Sequence, residues 1–173
     1  MSAWGYPAVM AAALLAGAVL LRRAQKGLAL AFPQRLGIAI GAFCGGMLGA
    51  KLPFVLAGEP GPLSGAAWLA DGKTILAGLV GGYLGVELAK ALLGVRIKTG
   101  DSFAVPAAAA VGIGRVACFV GGCCYGLPTN LPWAARCADG VPRHPAQLSE
   151  AAFHLSAAAV LAALRGRGLF RRQ

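Results

Sequence analysis

Five long apolar runs alternate with short polar connections, near residues 3–21, 36–57, 74–94, 103–122 and 147–164. At about 1.5 Å of rise per residue, each run is long enough as a helix to cross a hydrocarbon layer roughly 30 Å thick. A single segment in that layer must satisfy its own backbone hydrogen bonds, which makes helix the only local solution. The pattern predicts an all-α, polytopic membrane helix bundle with about five transmembrane helices, forming one integral membrane domain over residues 1–173. The first run is expected to be a retained helix and not a cleaved leader. Its charges, Arg22 and Arg23, follow the apolar stretch, whereas a signal peptide carries them in front.

Composition narrows the class. With 58% apolar residues, 26 glycines and 13% charged residues, the chain is neither disordered nor an ordinary water-soluble globule. Its net charge of +10 would suggest a nucleic-acid partner in a soluble protein. Here the basic residues cluster between apolar runs, so the expected partner is the bilayer and no nucleic acid. Arg22, Arg23, Lys26 and Arg35 follow the first run, Arg96 and Lys98 the third, and Arg165, Arg167, Arg171 and Arg172 the fifth. The connections 52–73 and 123–146 are poorer in Lys and Arg. Basic loops stay cytoplasmic, so the N-terminus is expected outside and the C-terminus inside. The glycine-rich stretches Gly45-Gly46-Met47-Leu48-Gly49 and Gly81-Gly82-Tyr83-Leu84-Gly85 carry small residues at a spacing of four, which lets helix backbones approach closely.

Chemistry is expected where ionisable groups enter the membrane, because each costs roughly 2.5–3.5 kcal/mol at mid-depth and needs compensation. Lys51 lies toward one end of the second run, where its long stem can snorkel to the interface. Glu87 and Lys90 are three residues apart on one helix face and are expected to pair. Arg115 falls in the middle of the fourth run, within Gly112-Ile113-Gly114-Arg115, with glycines that leave room beside the guanidinium. Unable to deprotonate, it needs a permanent anion, and a lipid phosphate is the anion a membrane supplies. The plainer account is an ion pair with Glu87 or Glu150.

Two polar clusters flank the next connection. Cys118 precedes the neighbouring Cys123 and Cys124, with Cys137 further on. Thiol–disulfide exchange is one reading of them; a metal site is weakly indicated, since the spacing is not that of a zinc pair and only His144 supplies a nearby imidazole in the loop. Arg143-His144-Pro145-Ala146-Gln147-Leu148-Ser149-Glu150 then leads into the fifth run. Pro145 suits a first helical turn and holds His144 extended, so His144, Gln147 and Glu150 are presented where the helix enters the bilayer. Helix capping and interfacial solvation explain such residues too; beside Arg115 they resemble a cleft for a charged head group.

Gly114-Arg115-Val116-Ala117-Cys118-Phe119 with Gly126, and His144-Pro145-Ala146-Gln147-Leu148-Ser149-Glu150, resemble the G-R-x-x-N-F and H-P-x-Q-L-Y-E motifs of bacterial prolipoprotein diacylglyceryl transferases. Weaker similarity covers Gly49-Ala50-Lys51-Leu52 and Ala77-Gly78-Leu79-Val80-Gly81-Gly82. The resemblance implies a multi-pass protein of the bacterial plasma (inner) membrane with an outward N-terminus. It also implies transfer of a diacylglyceryl group from phosphatidylglycerol, or a similar phospholipid, to the lipobox cysteine of a secreted preprotein, with release of glycerol phosphate. Arg115, by resemblance, contacts the phospholipid head group. The catalytic set expected on this basis is Arg115, His144 and Glu150, with Lys51, Gly114, Gly126, Arg143 and Gln147 binding substrate and Cys118, Cys123 and Cys124 as a separate thiol site. His144 or Glu150 is the expected proton acceptor for the incoming thiol. No metal and no organic cofactor is expected.

The sequence also departs from the family pattern. Leu76 stands where family members carry a histidine, Cys118 replaces the motif asparagine, Gly121 and Cys123 fall at the following Asn and Glu positions, and Ser149 replaces the motif tyrosine. The family continues into a further helix bearing an arginine, so a truncated or shortened, divergent member is expected. The alternatives are a membrane thiol/disulfide redox protein and a non-catalytic phospholipid-binding relative.

Overall fold

The computed structural model describes residues 4–57, 68, 74–136 and 140–168. Among the described residues five helices, α1 (Gly5–Gln25), α2 (Phe32–Ala57), α3 (Ile75–Leu92), α4 (Gly100–Gly121) and α5 (Ala146–Gly166), are long and apolar enough to cross a membrane. Two short strands, β1 (Ala135–Arg136) and β2 (Pro142–Arg143), pair antiparallel between α4 and α5, with Ala135 opposite Arg143 and Arg136 opposite Pro142. The helices match the five apolar runs, and their ends differ because polar residues also extend a helix. At the start of α2, Gln34 Oε1 accepts the Ala31 N–H at 3.0 Å, a local cap that carries the helix upstream of its apolar stretch. Large apolar side chains remain outward, among them Leu15, Phe43, Leu79, Val80 and Phe153. Such a surface is suited to lipid and not to water.

The chain forms two compact units. In the unit spanning 28–97, α2 packs along α3 through the two glycine-rich stretches. A Cβ at Gly41 would lie 2.5 Å from the Gly85 carbonyl oxygen, and one at Gly45 would run into the Gly81 carbonyl. The backbones meet because no side chain stands between them, so dispersion contacts, which hold helices together in lipid, are made at the shortest range. The expected Glu87–Lys90 pair forms, with Lys90 Nζ 2.9 Å from Glu87 Oε1. Leu76 is 76% exposed on the surface of α3.

In the other unit, 1–27 with 98–173, α4 lies between α1 and α5. Gly17 faces Ala110, the Tyr6 ring covers Gly121, and Leu155 fills the space beside Gly112. Arg165 on α5 donates from Nη2 to the Ala24 carbonyl at the C-terminal end of α1, at 2.7 Å. The final carbonyls of a helix lack internal partners and attract a cation. Within this unit the bond brings the C-terminal ends of α1 and α5 to one side.

Candidate functional site

α4 ends on a turn that determines where its chemistry points. Gly122 adopts φ +65, a left-handed conformation that costs glycine little. It turns the chain so that the Cys123 N–H donates to the Cys118 carbonyl at 3.0 Å. Cys124 is also left-handed, at φ +59, a conformation rare for a residue with a Cβ. The result folds Cys123 and Cys124 back over the last turn of α4. The sulfurs of Cys118, Cys123 and Cys124 lie within 4.8 Å of one another, and all three are unpaired thiols. Burial pushes the Cys123 thiol up to about 12, reinforced by the neighbouring Cys118 and Cys124. Cys137 lies outside the described residues.

The loop after this turn is held against the entry to α5. Gly126 N–H donates to the His144 carbonyl at 3.1 Å, and His144 N–H donates to the Leu127 carbonyl at 3.0 Å. A Cβ on Gly126 would lie 2.5 Å from that His144 oxygen, so Gly126 is required for this close approach. Pro145 is the N-cap of α5, and the helix begins at Ala146. The buried Gln147 donates from Nε2 to the Cys123 carbonyl at 2.6 Å, which ties the thiol turn to α5. The His144 ring, through Nε2, lies 3.1 Å from Ser149 Oγ. Arg143, on β2, also bridges to Pro128 through the backbone.

Arg115 is nearer the end of its helix than the apolar pattern suggests. Gly121 lies six positions further on, so Arg115 sits roughly 9 Å of helical rise from the α4 C-terminus. Its Nη2 is hydrogen-bonded and ion-paired to Glu150 Oε1 on α5. The Arg115 side chain is 14% exposed and that of Glu150 41%. Arg115 Nε is buried without a hydrogen-bond partner, an orphaned charged donor that is costly unless something supplies an acceptor. The space beside Gly114 is open, with nothing within 4 Å of where its Cβ would be.

Of the sequence-predicted residues, one unit therefore brings together Arg115, Glu150, Gln147, His144, Gly126 and the three thiols, while Lys51 belongs to the other unit. Ser149 and the carbonyl of Cys123 were absent from the expected site. A departure from the family motif flags Ser149 only as a mismatch, and no sequence signal marks a carbonyl.

A family model described as prolipoprotein diacylglyceryl transferase matches residues 3–173. Three relatives, each named phosphatidylglycerol–prolipoprotein diacylglyceryl transferase, illustrate the likeness. The protein of Clostridium tetani (strain Massachusetts / E88) is 33% identical over 133 residues, covering 75% of this chain and 53% of its own. That of Rhodospirillum centenum (strain ATCC 51521 / SW) is 37% identical over 146 residues, covering 75% and 51%. That of Bordetella avium (strain 197N) is 32% identical over 145 residues, covering 79% and 54%. The chain spans about half the length of the curated relatives it matches. No solved structure matches it.

Proposed function

The chain belongs to the prolipoprotein diacylglyceryl transferase family, and on that premise we propose that it is a transferase of the bacterial plasma membrane, N-terminus outside and C-terminus cytoplasmic. Its donor is phosphatidylglycerol or a similar phospholipid. Its acceptor is the lipobox-type cysteine thiol of a secreted preprotein.

The observation that carries this proposal is the asymmetric environment of Arg115. One guanidinium nitrogen is neutralised by Glu150, a second is buried and unpartnered, and the adjacent Gly114 leaves open space. A phosphodiester entering beside Gly114 supplies the acceptor oxygens that a fork-shaped guanidinium is built to bind.

In the transfer, the acceptor sulfur forms a C–S bond to the glycerol carbon that bears the phosphate ester. The C–O bond to phosphate breaks, and its electron pair leaves on the oxygen of glycerol phosphate. Arg115 stabilises the charge that develops there, a preorganised electrostatic contribution. The thiol proton goes to a base. Glu150 is engaged as the counter-ion of Arg115, which leaves His144, hydrogen-bonded through Ser149, as the better placed acceptor. Gln147 and Gly126 act by holding the loop and His144 in position. Arg143 lies on the strand immediately before His144, where it can add to the positive charge facing the lipid head group.

The test is transfer of labelled diacylglyceryl from phosphatidylglycerol vesicles to a lipobox peptide by the purified chain. Transfer that disappears in Arg115→Ala supports the proposal. Saturable phosphatidylglycerol binding without transfer would overturn the enzymatic part and leave a phospholipid-binding relative.

A further inference from the structure

The thiol cluster takes no part in the transfer chemistry above, and its geometry points to a different ligand. We propose that Cys118, Cys123 and Cys124 form a three-thiolate site for one Cu(I) ion. The sequence spacing discourages a metal assignment, because C-x4-C-C is not a zinc pair. The left-handed turn at Gly122 and Cys124 removes that objection by folding the chain back on itself. Three sulfurs at the corners of a trigonal site with metal–sulfur bonds of about 2.3 Å are about 4 Å apart. The observed sulfurs all lie within 4.8 Å of one another, a spread that small side-chain rotations close.

Thiolates select soft cations, and donor number then separates the candidates. Structural zinc takes four protein ligands. Among the described residues, the group of ligand atoms gathered here contains three cysteines and no histidine or carboxylate. A three-sulfur set suits Cu(I), which tolerates low coordination.

The surroundings fit the charge of such a complex. Three thiolates around Cu(I) carry a net charge of −2, and the positive charge of Arg115, one turn before Cys118 on α4, would offset part of it. Gln147, through the Cys123 carbonyl, holds the turn in place, the kind of outer support that fixes ligand orientation. The left-handed backbone at Cys124 is a local strain, and such outliers concentrate where a site requires them.

The inference does not depend on the transferase assignment, and its test does not measure transfer. The reduced, detergent-solubilised chain is titrated with Cu(I) under anaerobic conditions against the chromophoric chelator bicinchoninate, and the loaded protein is examined by copper-edge X-ray absorption. The expected result is one Cu(I) per chain with three sulfur neighbours. Cys118→Ser, Cys123→Ser and Cys124→Ser should each weaken binding by at least about 10-fold, the smallest loss seen even for outer-shell partners, while Cys44→Ser leaves it unchanged. Because Cys124 is exposed, its serine variant tests the site without emptying a packed core. Failure to compete with bicinchoninate, equal affinity in Cys124→Ser, fewer than three sulfur neighbours, or displacement of Cu(I) by equimolar Zn(II) would each overturn the proposal.

Discussion

The Arg115 guanidinium on α4 is held by the Glu150 carboxylate on α5, 35 residues further along the chain. The bond makes one electrostatic unit of two membrane-spanning helices. It also gives the two partners unequal roles, since the arginine is the more buried of the two.

Removing the arginine leaves a carboxylate without its partner, whereas neutralising the carboxylate leaves a cation that a lipid phosphate can still satisfy. Arg115→Ala should therefore destabilise the chain more than Glu150→Gln. Loss of a charged hydrogen bond is worth about 1.5–3 kcal/mol when buried, and the partial exposure of Glu150 reduces this toward the lower end. Thermal unfolding in nanodiscs containing phosphatidylglycerol, where that phosphate is present, would show the order. In the transfer assay, Arg115→Ala should lose about 100-fold or more, and Arg115→Lys should not recover it, because an ammonium lacks the planar fork.

Gly114 and Gly85 give opposite expectations for the same chemical change. Gly85→Ala drives a methyl group into the Gly41 carbonyl, and overpacking of this kind costs about 1–3 kcal/mol. Gly114→Ala meets open space and gains helix propensity of up to about 1 kcal/mol. Unfolding should separate the two variants clearly. If the space beside Gly114 admits the lipid head group, Gly114→Ala also raises KM for phospholipid in a protein that is no less stable.

Gly126→Ala should displace the loop that carries His144, since the new methyl group would lie 2.5 Å from the His144 carbonyl oxygen. Amide exchange at the Gly126 and His144 N–H groups, both bonded across this contact, should accelerate. Unchanged exchange would show that the loop accommodates the methyl group.

In the metal-free protein, the raised pKa of Cys123 has a defined consequence. The thiolate is the reactive form, so a thiol pushed up to about 12 stays protonated and slow near neutral pH. Its alkylation should accelerate as pH rises from about 8 toward about 12. Gln147→Leu removes the bond to the Cys123 carbonyl, opens the turn to water and should raise the neutral-pH rate. Mass spectrometry of iodoacetamide-treated peptides resolves Cys123 from the exposed Cys124.

Orientation is testable with the same exposed thiol. If the basic connections are cytoplasmic, Cys124 lies on the outer side and should react with a membrane-impermeant maleimide in intact cells. Labelling only after lysis would invert the topology.

Much of the architecture was legible along the chain because helix formation in lipid is a local requirement. An apolar run of sufficient length must satisfy its own backbone, so the five spans follow from hydropathy alone. The Glu87–Lys90 pair was readable for the same reason, as its partners share one turn of one helix. The packing role of the glycine stretches was readable too, although their mutual register was not.

The candidate site was less legible. Arg115, His144, Gln147 and Glu150 could each be singled out as polar groups entering a membrane, but their division of labour could not. Whether Arg115 faced Glu87 or Glu150 depended on which helices pack together. That Gln147 holds a cysteine carbonyl depended on where a loop lands. Amino-acid order by itself determined the spans, the clustering of basic residues between them and the inventory of reactive groups, because these depend on neighbours within a few residues. Tertiary structure alone decided the Arg115–Glu150 pair, the close contact of Gly126 with His144 and the convergence of three thiols. Those relations depend on long-range helix packing and on two left-handed residues in one turn, and neither leaves a periodic signal in the sequence.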